Sequence, residues 1–172
     1  YVPLTKGVDM AQNIGEFLTN RARRDTDLEA IYEPATDNRL SYRELNDRSN
    51  QVAHSLKDLG VAKGDRVGLL LMNGKEFVET FFAVAKIGAV NVPLNWRLVA
   101  DELEFILDDA GTTVLLFSEE FADLASELRS RGDKTQISNW IQVGGETTEG
   151  ALDYDDWMGS SSTTEPEIEG SD

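Results

Sequence analysis

His54 is the one histidine of the 172-residue chain, and so the one side chain whose ordinary pKa suits proton transfer near neutral pH. It follows Val52 by two positions within an apolar helical stripe, a rotation of roughly 200° at 100° per residue, which predicts a place on the solvent face. A metal site or a nucleophile–base pair would need partners spaced to converge on it, and the sequence supplies none. With no cysteine in the chain, thiolate catalysis, a thiolate metal site and disulfides are all excluded. That composition suits a reducing compartment, and the expected location is the cytoplasm.

Neither G-x-G-x-x-G after a strand nor G-x-x-x-x-G-K-[ST] occurs. Gly60 and Gly64 flank Val61, Ala62 and Lys63 between a helix pattern and a strand pattern, so a tight turn explains them better than a phosphate cradle. The hydroxyl run Ser160, Ser161, Ser162, Thr163, Thr164 leads into Glu165, Glu167 and Glu169 with no lysine beside it, which gives the local field the wrong sign for an anion. Asp101 and Glu102, Asp108 and Asp109, and Asp155 and Asp156 are sequence neighbours. They diverge on a helix and read as surface charge, the first pair favourable at a helix start.

The formal charge of −16 opposes binding to a nucleic-acid backbone. Nine acidic residues and no basic one follow Lys134. The longest apolar runs, Leu69 to Met72 and the interrupted stretch Phe81 to Leu94, fall short of the roughly 20 residues of a membrane span. Residues 1–12 lack the basic and apolar regions of a signal peptide and read as a flexible arm.

The elements between these positions alternate. Asn13 and Glu16 open a helix bearing Ile14, Phe17 and Leu18; Ser41 and Glu44 form a capping box, with Leu40 set to staple against Leu45 and a core stripe of Leu45, Val52, Leu56 and Leu59 ending at Gly60. The β-rich run Asp65 to Met72 reads as a central parallel strand. A helix from Asn73 and Glu76 follows, with Phe77, Phe81, Phe82 and Ala85 as its apolar face, then a strand to Pro93. A helix over 99–110, a strand over 114–118, a helix through Phe121, Leu124, Ala125 and Leu128, and a short strand over 140–143 complete the pattern. Near-continuously apolar strands separated by helices imply a doubly wound, mostly parallel α/β sheet covered on both faces. Residues 13–158 form that unit, with one docked helical turn at 154–158. Residues 159–172 read as an acidic Ser/Thr-rich linker with too little apolar area to offset the entropy of ordering.

Leu40 to Leu45 (L-S-Y-R-E-L), Gly60 to Asn73 (G-V-A-K-G-D-R-V-G-L-L-L-M-N) and Phe82 to Asn95 (F-A-V-A-K-I-G-A-V-N-V-P-L-N) resemble, in order and spacing, the early motifs of AMP-forming synthetases, and the resemblance covers about 13–143. Pro93 to Leu98 and Ile106 to Gly111 are most similar to bacterial fatty-acyl-CoA ligases. The resemblance implies a two-step reaction: a fatty-acid carboxylate attacks the α-phosphate of ATP to give acyl-AMP, and CoA then displaces AMP, with Mg2+ neutralising phosphate charge. It implies fatty acid, ATP and CoA as partners and allows a homodimer. It also places the phosphate-binding loop and catalytic groups after residue 172, so the fragment alone is expected to be inactive. Arg97 is the one residue it marks as a ligand contact, beside the CoA nucleotide. Two other readings stay open: an aromatic-acid CoA ligase or carrier-loading adenylation domain, and a non-enzymatic flavodoxin-like binding module.

Overall fold

The computed structural model describes residues 13–167. The arm expected at 1–12 and the end of the chain, 168–172, lie outside the described residues. Five parallel strands form the main sheet: β3 (Arg66–Leu70), β4 (Val90–Pro93), β5 (Thr112–Ser118), β6 (Asn139–Val143) and β7 (Leu152–Asp153), in the order β4-β3-β5-β6-β7. A separate antiparallel hairpin, β1 (Glu29–Glu33) with β2 (Asn38–Ser41), precedes them. The main sheet is the doubly wound α/β layer that the alternation of elements implies.

Strand residues sort to the two faces with period two. Val67, Leu69, Val114, Leu116 and Ile141 pack into one core with Val52 and Leu56 of α2 (Tyr42–Asp58), Ala83 and Val84 of α3 (Lys75–Lys86), and Tyr154 and Met158 of α6 (Tyr154–Gly159). Leu70, Leu115, Phe117 and Trp140 face the opposite core, built with Leu103 and Leu107 of α4 (Ala100–Ala110) and Ala125 and Leu128 of α5 (Ala122–Ser130). An outer helix, α1 (Ile14–Arg24), packs on α2 and α3.

The helix starts follow their local chemistry. Ser41 Oγ accepts the Glu44 N–H at 3.3 Å while Glu44 Oε2 accepts the Ser41 N–H at 2.7 Å; this box and the Ser41 hydroxyl hold the Glu44 carboxyl below its ordinary range. Asn13 Oδ1 caps α1 through the Gly15 N–H at 2.8 Å. Val99 has no side-chain acceptor, so α4 keeps only the reciprocal half of a box, its N–H donating to Glu102 Oε2 at 3.1 Å.

Three features differ from the sequence-based expectations. The β1–β2 hairpin and β7 are additions, both short and largely half-buried or exposed, so neither shows a strong apolar signal. On α3 the fully buried stripe is Thr80, Ala83 and Val84 together with two charged residues, Glu79 and Lys86, at 0% and 4% exposure, whereas Phe77, Phe81 and Phe82 are half-buried. The described part of the supposed linker, 160–167, lies along α2: Gln51 Nε2 donates to the Gly159 carbonyl, Asn50 Nδ2 to Thr163 and Lys57 Nζ to Glu167, at 3.2, 2.8 and 3.0 Å. Polar partners on α2 replace the apolar area that this segment lacks.

Candidate functional site

Strand order reverses between β3 and β5, because the chain leaves β3 toward one edge of the sheet and returns to build the other. In open α/β sheets the crevice at the carboxyl ends of two such strands is where ligands bind. Here the Met72 N–H donates to Ser118 Oγ at 3.0 Å and ties those two ends together. A cavity of about 690 Å³ opens above them, walled by the loops after β3, β5 and β6 and closed on its far side by the β1–β2 hairpin.

Its charges are Glu33, Glu76, Glu119 and Glu120 against the single ammonium of Lys75. Glu33 Oε1 accepts the Lys75 backbone N–H at 2.8 Å and so occupies the start of α3, where an anionic ligand would otherwise sit. Lys75 Nζ pairs with Glu76 Oε1 at 2.7 Å. Burial pulls the Lys75 ammonium pKa down, but the bond to Glu76 outweighs it and the net direction is up. The walls therefore repel a phosphate chain and favour an uncharged or cationic occupant. Among the described residues no cluster of three or more His, Cys, Asp or Glu side chains could hold a metal, so the described residues do not fit a Mg2+ site.

Arg97 stands apart from these walls, in the loop between β4 and α4. It is exposed, its guanidinium carbon lies 4.6 Å from the Trp96 ring centroid, and its backbone N–H donates to Asn95 Oδ1 at 3.1 Å. Among the described residues no carboxylate pairs with it. Stacking on a half-exposed indole fixes the plane of the guanidinium while leaving its five N–H groups for a ligand. Parallel strands put this loop at the same carboxyl end of the sheet as the crevice.

The other candidates resolve structurally. His54, expected to face solvent, is half-buried, with Nε2 2.9 Å from the Thr164 carbonyl oxygen, because 160–167 covers that side of α2. The hydroxyl run bonds to itself and to α2, with Ser161 Oγ 2.7 Å from Ser55 Oγ and Ser162 Oγ 2.8 Å from Thr164 Oγ1. Gly60 and Gly64 have φ of 87° and 89°, the left-handed geometry of a tight connection, and Gly64 N–H donates to the Gly88 carbonyl at 3.0 Å. No sequence motif marks the crevice itself. Its signal was the position of Asn73, Gly74 and Lys75 at the end of a strand next to the switch of direction.

A five-stranded parallel sheet with this strand order and helices on both faces define a doubly wound α/β layer. The family model described as "AMP-binding enzyme" matches residues 18–170, and the chain belongs to that family. It is 38% identical over 159 residues to the long-chain-fatty-acid–CoA ligase FadD13 of Mycobacterium tuberculosis (strain ATCC 25618 / H37Rv), an overlap of 92% of this chain and 30% of that ligase. The fold is shared with the solved Mycobacterium tuberculosis fatty acyl CoA synthetase at a TM-score of 0.84 and 37% identity, covering 94% of this chain and 31% of that one. The anthranilate CoA ligase AuaEII, solved with anthranoyl-AMP, superimposes at a TM-score of 0.85 with 31% identity, over 91% and 30% of the two chains. The chain thus spans about a third of the length of these relatives.

Proposed function

We propose that this chain is the leading α/β part of a cytosolic ligase that activates a long-chain fatty acid with ATP to acyl-AMP and passes the acyl group to CoA. The observation that carries this is the identity with a long-chain-fatty-acid–CoA ligase, which extends over 92% of the chain. In the first half-reaction a carboxylate oxygen bonds to the α-phosphorus and pyrophosphate leaves. In the second the CoA sulfur bonds to the acyl carbon and AMP leaves. The acidic walls of the switch-point crevice favour assigning the phosphate chemistry to parts of the ligase outside these residues.

An aromatic acid is the second reading, favoured by the similarity to an anthranilate ligase. Pyrophosphate release from the whole ligase with ATP and Mg2+ decides between them. Long-chain fatty acids should support it and anthranilate should not; the reverse order would overturn the fatty-acid assignment.

Within this reading Arg97 contacts the CoA nucleotide. Its exposed, carboxylate-free guanidinium stacked on Trp96 supports the assignment. Charge-assisted hydrogen bonds to phosphate contribute roughly 1.5–3 kcal/mol when desolvated. Arg97→Ala in the whole ligase should raise the KM for CoA by about tenfold or more, since each 1.4 kcal/mol is a factor of ten. Acyl-AMP formation without CoA should stay at the parent rate. Equal losses in both half-reactions would show a packing role instead, and an unchanged KM would remove Arg97 from the CoA site.

A further inference from the structure

Three helices converge on one carboxylate. Glu165 Oε2 accepts from Lys86 Nζ of α3 at 2.6 Å and from Thr19 Oγ1 of α1 at 2.9 Å, and Glu165 Oε1 accepts from Asn46 Nδ2 of α2 at 2.8 Å. Both oxygens are engaged, as planar two-oxygen recognition requires. Lys86 is 4% exposed, Asn46 7% and Thr19 9%, while the Glu165 side chain is 36% exposed. The donors are therefore built into the fold and the carboxylate arrives from its surface.

The donors are also held independently of Glu165. The Lys86 ammonium gives its other two N–H groups to Thr19 Oγ1 at 2.6 Å and Asn46 Oδ1 at 2.9 Å. With Asn46 Oδ1 accepting from Lys86, the amide must turn its Nδ2 toward Glu165. With Thr19 Oγ1 accepting from Lys86, the hydroxyl proton is left to donate to Glu165 Oε2. Lys86 thus spends all three ammonium protons inside the cradle, and the Gly15 carbonyl, 3.4 Å from Thr19 Oγ1, is a longer second acceptor for the hydroxyl proton. Burial opposes the charge on Lys86 and lowers its pKa, and Glu165 is the partner that pushes back. Burial likewise raises Glu165, but the bonds from Lys86, Asn46 and Thr19 outweigh it and hold the carboxyl below its ordinary range.

We propose that Thr19, Asn46 and Lys86 form a preorganised carboxylate-binding site whose resident ligand is the chain's own Glu165. The site is a receptor rather than an ordinary surface ion pair, since removing the ligand leaves a shaped, buried, cationic vacancy. A side opening of about 370 Å³, bordered by Asn13, Gly15, Asn20 and Arg23, gives small solutes access to it. The docking fixes where the segment after α6 crosses α1 and α3, a role no motif in the sequence announces.

Chemical rescue tests the proposal on the 172-residue chain. Glu165→Ala removes the carboxylate and the one methylene that carries it, a volume that acetate replaces. The variant should lose about 5 °C in Tm, since exposing a paired buried cation costs stability and each kcal/mol shifts a domain of this size by a few degrees. If acetate binds the vacancy with a Kd near 10 mM, about 100 mM acetate multiplies the folding constant by roughly 11 and restores about 3 °C. Chloride at equal ionic strength should not. Lys86→Met/Glu165→Ala should show no difference between acetate and chloride, and neither should the parent, whose site is filled. If Glu165→Ala is unfolded in chloride, recovery of its circular dichroism by acetate alone reads the same property. Equal behaviour in acetate and chloride, an unchanged Tm in Glu165→Ala, or rescue that persists without Lys86 would each overturn the proposal.

Discussion

Arg48→Met should destabilise the fold by about 3 kcal/mol, the low end of the range for removing one partner of a buried ion pair, because the Arg48 side chain keeps 26% exposure. Glu79 is fully buried in α3, where Arg48 Nε and Nη2 donate to its two oxygens at 2.6 and 3.3 Å. The Tyr154 hydroxyl donates to Oε2 at 2.8 Å, and Arg48 Nη2 reaches Asp155 Oδ1 at 3.2 Å, so the cluster joins α2, α3 and α6. Burial and the Glu79 charge push the Tyr154 phenol pKa well up, which keeps it a neutral donor. Without Arg48 the carboxylate retains the Tyr154 hydrogen bond and loses its paired cation. Its desolvation is then uncompensated. Arg48→Met/Glu79→Met/Tyr154→Phe removes every polar member together and should recover most of the loss, since well-packed apolar replacements of buried ion pairs are often neutral. Urea midpoints with unchanged m-values would report both effects. A single variant within about 0.5 kcal/mol of the parent, the usual range for surface changes, would show that Glu79 is solvated despite its burial.

Local chemistry was legible and distant pairing was not. The Ser41–Glu44 box, the αL end of α4 at Gly111 (φ 63°) and the apolar strands follow from residues within a few positions of one another. On α3, apolar spacing selects the face of Phe77, Phe81 and Phe82, because a helical wheel ranks residues by side chain alone. The face that is buried carries Glu79 and Lys86, whose partners Tyr154 and Glu165 lie 75 and 79 residues away. Buried charges become tolerable through such partners, and composition windows do not contain them. The same reasoning explains 160–167. Its Ser, Thr and Glu residues bury little apolar area, and the unanticipated term is the polar side of α2. For the site, the motif around Pro93 to Leu98 marked Arg97, whereas the switch-point crevice depends on strand order and so emerges only in three dimensions.

Gly15→Val sets two local effects against each other and should cost about 2–3 kcal/mol. Helix propensity alone favours valine over glycine by a few tenths of a kcal/mol in a helix interior, and Gly15 stands in the first turn of α1, so a reading of the sequence predicts slight stabilisation. The packing predicts the opposite. A Cβ on Gly15 would lie 2.7 Å from both Cα and Cγ of Lys86 and 2.8 Å from its backbone nitrogen. Two of those three atoms are backbone of α3, which no rotamer change can move. The helices must separate, and overpacking of this kind typically costs 1–3 kcal/mol, several times the propensity gain. Separation also draws Thr19, on the next turn of α1, away from Lys86 Nζ, opening a buried hydrogen bond at 2.6 Å. Gly15→Ala, with the same Cβ and no further methyls, should lose less than Gly15→Val but still fall below the parent in a urea titration. Stabilisation by Gly15→Ala would mean that α1 slides on α3 at little cost, and that the close approach of the two backbones is not required to hold Thr19 against Lys86.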